Sequence, residues 1–364
     1  VSAEVTRRQA LALSQDDWQA ELERLEQPAY RADQILEWIY QKRATSFEKM
    51  SNLPAALRQG LTEAMNFSLP VLEREVDSGD TTKKFLLRVG QGDLIETVLI
   101  PASPALYGEA SDRRTLCVSS QVGCAYGCRF CASGLDGWKR HLSADEIVGQ
   151  LLLAESVSGE KVNNIVFMGM GEPLANLPNL LKAIEIINAP WGIGLGARHI
   201  TVSTSGLVPQ IRELADQSRQ IRLAISLHGA TDEVRSKIMP VNRKYPLEEL
   251  MEACEYFTHR KKQLITFEYI LIDGINDAPA QARALSGLAR PLKAKVNLIP
   301  YNTVEGLPWK RPPREQQEKF LMALRRAGVP ATLRREKGHD IAAACGQLRL
   351  QTVREKNFAS GGVI

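Results

Sequence analysis

Three cysteines, Cys124, Cys128 and Cys131, fall in the spacing C-x3-C-x2-C, and no other stretch limits the chain as much. One short loop of that kind can present three thiolates to a single metal centre. A closed structural zinc site takes four protein ligands, and so does an iron–sulfur cluster held by cysteine alone. Three ligands on a four-iron cluster leave one iron open to a substrate. The apolar run Thr115–Ser119 before the loop reads as a strand, and Ser143-Ala-Asp-Glu146 after it is a capping box that opens an amphipathic helix. The cysteines therefore ride on a long loop after a strand, where βα proteins place their chemistry. Spacing alone also fits a zinc knuckle with a distant fourth ligand, or a redox thiol pair.

From Thr115 onward the pattern is one of repeated βα units. Strands are expected at 115–119, 164–168, 199–204, 221–227, 264–272 and 294–300, with helices at about 143–157, 177–188, 206–215, 246–260 and 277–290. Six parallel strands with crossover helices predict an α/β fold, a partial (β/α)6 barrel. A helix at about 315–327 and a short strand at Ala331–Arg335 follow. Three runs before the barrel, Val71–Val76, Lys84–Val89 and Leu94–Ile100, are split by turn signals and read as a β-meander. Residues 1–66 read as helical, since Trp18, Leu22 and Leu25, then Ile35, Leu36, Ile39 and Tyr40, recur at helical spacing. The expected domains are a helical accessory, RNA-binding unit at 1–66, a β-meander extension and linker at 67–110, the barrel with a C-terminal cysteine segment at 111–348, and a tail at 349–364.

Composition narrows the function class. At 44% hydrophobic and 24% charged, the 364 residues are ordinary for a soluble globular protein. No apolar run approaches a membrane span, and six cysteines in such a length do not make a disulfide scaffold. A soluble cytoplasmic enzyme is expected, with no membrane partner. Net charge is only +4, but residues 293–364 hold 14 Lys or Arg against 6 Asp or Glu. That one-sided surplus suits phosphate contacts, and equally a solvated face. Residues 1–66 are slightly acidic, so charge does not mark that segment as an RNA binder.

Polar residues gather at the expected strand ends. Met168-Gly-Met-Gly-Glu-Pro173 ends the second strand, where glycines admit close backbone approach to a ligand and Glu172 adds a carboxylate. Ser203 ends the third, Ser226-Leu-His228 the fourth, and Asn302 follows the sixth. Each alone is an ordinary strand-end group; one shared rim points to a binding site. Glu96 sits in Ile95-Glu-Thr-Val98, where a single strand carboxylate is usually on the solvent side. Cys254 reads as core.

The cysteine loop after a first strand resembles the radical S-adenosylmethionine (SAM) superfamily. That resemblance implies one 4Fe-4S cluster on Cys124, Cys128 and Cys131, with SAM on the open iron and one-electron cleavage to a 5′-deoxyadenosyl radical. Cys117-Val-Ser-Ser-Gln-Val-Gly-Cys124, Met168-Gly-Met-Gly-Glu-Pro173, Ser226-Leu-His228, Asn297-Leu-Ile-Pro300 and Ala344-Cys-Gly-Gln-Leu348 together resemble the RlmN/Cfr family of RNA adenosine methyltransferases. Tyr30-Arg-Ala-Asp-Gln-Ile35 and Ile95-Glu-Thr-Val98 extend the match over nearly the whole chain.

The family resemblance implies a methyl relay that uses two SAM molecules per turnover. A first SAM methylates Cys345, and hydrogen abstraction from that S-methyl group lets its carbon add to adenine. Glu96 resembles the base that removes the ring proton, and Cys117 the thiol that attacks Cys345 sulfur to free the product and leave a disulfide. Gly171, Glu172, Ser203, Ser226, Leu227, His228 and Asn302 match SAM-contacting positions. Implied partners are 23S ribosomal RNA, tRNA beside the anticodon, a flavodoxin-like electron donor and a thiol reductant, and a monomer is expected. Pro173 after Gly-Glu and Val122 before Gly123-Cys124 favour adenine C2 as the target over C8. Trp309-Lys-Arg311 is a candidate phosphate and stacking surface.

Overall fold

The computed structural model describes residues 7–79, 81–102, 111–135, 137–304, 306–334, 347–350 and 352–353. Its centre is one ten-stranded sheet. Strands β3 (Val71–Asp77), β4 (Lys83–Val89) and β5 (Asp93–Pro101) run antiparallel, and β5 pairs antiparallel with β6 (Arg114–Cys117). From there the sheet is parallel: β9 (Asn164–Phe167), β10 (Ile200–Thr204), β11 (Arg222–Ser226), β12 (Thr266–Leu271), β13 (Lys295–Pro300) and β14 (Ala331–Leu333) follow in sequence order. Helices α4 (Ala144–Ser158), α5 (Leu177–Asn188), α6 (Val208–Asp216), α8 (Leu247–Lys261), α9 (Pro279–Ala289) and α10 (Arg314–Arg326) connect them. The six-unit partial barrel is present, with two additions. The meander joins the barrel sheet through β5, and β14 is a seventh parallel strand.

The barrel strands show why a run can be buried on both sides. On β12, Phe267, Tyr269 and Leu271 are fully buried under helices, while Thr266, Glu268 and Ile270 face an internal cavity. The capping box at Ser143 forms as the sequence predicts, with Glu146 reaching back to the Ser143 backbone N–H at 3.0 Å. One helix goes unpredicted: α7 (Asp232–Ile238), seven residues capped by Thr231. Its charged sequence offers only Val234 and Ile238 as an apolar pair, too short a stripe to read, and it buries the cation Arg235 beside Ile238.

At the N-terminus, β1 (Arg8–Gln9) pairs in parallel with β2 (Met65–Asn66), and α1 (Gln15–Arg24), α2 (Arg31–Tyr40) and α3 (Ala55–Ala64) bury Trp18, Leu22, Ile35 and Leu61 completely. Those side chains contribute about 1.5–3 kcal/mol each by leaving water. They belong to the same apolar core as the barrel helices. Polar contacts fix the seam: Lys182 pairs with Asp17 at 2.8 Å, Gln41 donates to Gly192 O at 2.7 Å, and Arg43 pairs with Glu155. Among the described residues, no helix is long and apolar enough to cross a membrane.

Candidate active site

The cysteine loop is pinched at its base. Strand β7 (Gln121–Gly123) pairs with β8 (Trp138–His141), and Cys124 N–H donates to Gly137 O at 3.0 Å. Gly123 has φ +77°, and a Cβ there would meet Gly137 O at 2.0 Å, so the closure requires glycine. Two outside contacts hold the loop's crest. Arg129 N–H donates to Ile238 O at 2.9 Å, and the Trp309 indole donates to Arg129 O at 3.1 Å.

The three thiols suit a cationic cluster. Burial pushes all three up, Cys124 to about 12, and Cys131 adds charge repulsion to Cys124 and Cys128. Thiols penalised in this way become ligands when a metal centre supplies the opposing charge. Among the described residues, no three His, Cys, Asp or Glu side chains converge on a single ion. A 4Fe-4S cube does not require that, because each thiolate goes to a different iron.

Beside the loop lies the end of β9. Gly171 has φ +97°, and a Cβ would fall 2.5 Å from Gln121 Cβ. Gln121 Oε1 accepts from Glu172 N–H at 2.8 Å, so the turn is locked to the strand that opens the cysteine loop. Glu172 is 3% exposed; its carboxylate accepts from Ser205 N–H at 2.7 Å and Leu174 N–H at 3.1 Å. Burial raises its pKa, and the Ser205 hydrogen bonds oppose that rise. Gly171→Ala forces both a strained backbone, at about 1–3 kcal/mol, and displacement of Gln121. Equilibrium dialysis of the reconstituted variant is expected to show SAM affinity reduced by tenfold or more.

The hydroxyls of Ser203 and Ser226 lie 3.3 Å apart across adjacent strand ends. His228 is held at φ +57° by Asn276, a fully buried amide that donates to His228 O at 2.7 Å and Ile270 O at 2.6 Å. His228 Nδ1 accepts from Ile270 N–H at 3.0 Å, so its ring proton sits on Nε2, available to a ligand. Burial, then Arg235, lowers its pKa to about 3. The folded state therefore resists a proton that the unfolded chain accepts below about 6.5. The sign follows: this group takes away stability as pH falls below 6.5, by about 2 kcal/mol at pH 5 relative to pH 7.5. Denaturation of His228→Gln at both pH values checks this; the variant should lose that part of the pH dependence. The Asn302 amide oxygen accepts from Arg311 at 2.6 Å.

Glu96 is not on a solvent face. It is 1% exposed, because the 347–350 helical turn covers β4 and β5: Leu348 packs on Leu86 and Leu94. Lys84 Nζ lies 3.1 Å from Glu96 Oε2, and Arg349 N–H donates to Oε1 at 2.7 Å. Cys117 ends β6 between Val98 and Val166, its thiol pushed up to about 11 by burial, with Arg334 and Lys84 opposing. A cavity of about 620 Å³ inside the barrel is lined by Cys117, Lys84, Cys131, Asn302, Glu268 and Arg334, among others. Cys345 lies outside the described residues. Trp309 and Arg311 are half-buried and spent on Arg129, Tyr301 and Asn302, which leaves Lys310 as the exposed member of that trio.

Sequence reasoning passed over Gln121, Arg235, Asn276 and Lys84. Gln121 stood inside a quoted motif; the others carry no local signal, since a lone polar residue in a helix, strand or turn reads as surface.

The Radical SAM superfamily profile matches residues 118–284, and that of the ribosomal RNA large subunit methyltransferase N-terminal domain matches residues 10–66. A relative from Akkermansia muciniphila, described as "Probable dual-specificity RNA methyltransferase RlmN", is 58% identical, covering 90% of this chain and 91% of its own. This chain belongs to the RlmN family of radical SAM RNA methyltransferases. A second RlmN relative, from Opitutus terrae, is 55% identical over 91% of each chain. The crystal structure of a radical SAM methyltransferase from Sphaerobacter thermophilus superposes with a TM-score of 0.87 at 42% identity, covering 93% of this chain and 98% of that one. The RlmN family works with a 4Fe-4S cluster and SAM, the two groups the cysteine loop and the strand-end rim fit.

Proposed function

We propose that this enzyme methylates C2 of one adenosine in 23S rRNA, and of a purine beside the tRNA anticodon, with Cys345 as the methyl carrier. The cavity carries this reading: it brings Cys117, a cluster cysteine, Asn302 and the lysine partner of Glu96 to one space inside the barrel. Adenine C2 is electron-poor and has no nucleophilic lone pair, so polar methyl transfer is closed to it. Held by Cys124, Cys128 and Cys131 and by the strand-end rim, the cluster and SAM would supply the radical chemistry that activates the S-methyl group of Cys345.

The chain's own groups take the remaining parts. Cys124, Cys128 and Cys131 would hold the cluster. Glu172 would accept from the SAM amino group, with Gly171, Ser203, Ser226, Leu227, His228 and Asn302 around the rest of it. Glu96, fixed by Lys84 and Arg349, would take the proton from the adduct carbon. Cys117 would then attack Cys345 sulfur, and an external thiol would reduce the resulting disulfide. The target base must leave its stack to enter a cavity inside the barrel. The relatives' description as dual-specificity RNA methyltransferases supports two RNA substrates. A monomer working in the cytoplasm, fed electrons by a flavodoxin-like donor, completes the reading.

The test is mass spectrometry of nucleosides from 23S rRNA lacking the methyl group, after anaerobic incubation with reconstituted enzyme, SAM and reductant. 2-Methyladenosine is expected. 8-Methyladenosine would keep the relay and overturn the regiochemistry; neither product, with SAM cleaved, would overturn the substrate.

A further inference from the structure

Arg235 is a fully buried guanidinium that the methyl relay leaves unused. It donates to Leu227 O at 3.1 Å, to Asn242 Oδ1 at 2.7 Å and to Ser205 O. All three acceptors are neutral, and among the described residues no carboxylate stands in ion-pair contact with it. The carboxylate of Asp232, one turn earlier on α7, is occupied by Asn242 Nδ2 at 2.8 Å and Leu247 N–H at 2.9 Å. A buried charge with only neutral partners is costly, and fastening two loops would not by itself call for a charge.

The cysteine loop abuts the same helix. One turn beyond Arg235 on the same helix, Ile238 O receives Arg129 N–H at 2.9 Å. The neighbouring Phe130 ring packs edge-on against His228 at 4.8 Å, and His228 follows the Leu227 carbonyl that Arg235 holds. The guanidinium thus sits behind residues 128–130. Cys128 adjoins Arg129, and Cys131 N–H donates to Cys128 O at 3.0 Å, so this backing meets the first turn of the cysteine loop. We propose that Arg235 is a positioning residue whose fixed positive charge, set behind the Cys128 corner of the cluster, eases the cluster's one-electron reduction. Reduction makes the cluster one unit more negative, and a rigid cation in a dry site favours that state; net charge and hydrogen bonding around the sulfurs are what set such potentials. The same contacts tie the charge to Ser205 and Leu227, at the ends of β10 and β11 where SAM is proposed to bind.

This inference rests on the proposed cluster ligands, and the experiment separates the two. The full chain and its Arg235→Met, Arg235→Lys and Asp232→Asn variants are reconstituted anaerobically without RNA. Iron is counted, and reduction is followed by EPR-monitored potentiometric titration. At the parent midpoint, Arg235→Met should show a reduced-to-oxidised ratio at least about tenfold lower, equivalent to about 59 mV for one electron. Arg235→Lys should stay within about threefold, and Asp232→Asn, which removes a nearby negative charge, should move the other way. An unshifted midpoint in a four-iron Arg235→Met protein would overturn the proposal, and so would equal shifts in the Met and Lys variants. Should Arg235→Met not fold, an unmoved midpoint in Asp232→Asn overturns it. A parent chain that takes up no four-iron cluster fails the ligand reading itself, and this inference with it.

Discussion

Cys117→Ala is expected to leave the enzyme covalently joined to its RNA through Cys345, with released product down by on the order of a hundredfold or more. The geometry explains why no other described thiol substitutes. Cys117 is fixed between Val98 and Val166 at the cavity wall, Cys254 is fully buried in α8, and the remaining three serve the cluster in this reading. Phenol partition of labelled RNA followed by protein mass spectrometry detects the adduct. Normal turnover by Cys117→Ala would remove this cysteine from the resolving role. The Cys117 thiol also predicts a pH dependence. With its pKa pushed up to about 11, the thiolate fraction, and with it disulfide formation from the adduct, should rise about tenfold per pH unit between 7 and 9. The Lys84 and Arg334 charges work against that rise in pKa, so replacing either should slow resolution at neutral pH.

The βα order, the cysteine loop and the strand-end rim were legible in the sequence because each is written locally. Strand periodicity, a capping box at Ser143 and glycines at Gly123 and Gly171 are properties of a few adjacent residues. What stayed hidden is what depends on distant pairing. Glu96 reads as a surface carboxylate until the 347–350 turn, some 250 residues later, covers β5 and brings the Arg349 N–H to it. The meander reads as a separate extension until β5 is seen paired with β6, which makes it part of the barrel wall. Helix α7 has too few apolar residues to announce itself, and it buries a charge, Arg235, beside Ile238. Trp309 and Arg311 look like RNA contacts by composition, yet the fold spends them on the cysteine loop and on Asn302.

Lys84→Met is expected to destabilise the apoprotein by about 3–5 kcal/mol, the usual cost of stranding one member of a buried ion pair. Both side chains of the Lys84–Glu96 pair are fully buried, so the cation cannot be replaced by water at the surface. Folded proteins of ordinary stability hold about 5–15 kcal/mol in all, so a melting temperature lower by roughly 5–10 °C should be plain in a thermal scan. The double variant Lys84→Met/Glu96→Gln removes both charges while its amide oxygen still accepts the Arg349 N–H, and should regain most of that loss. Chemistry should not return with stability, because a glutamine cannot take a proton from the adduct carbon. A stable double variant that traps RNA on Cys345 would therefore separate the two tasks of Glu96, holding the 347–350 turn against the sheet and serving as base. A double variant as unstable as Lys84→Met would show that the pair stabilises through its charge, and one that released methylated RNA at the parent rate would take the base role away from Glu96.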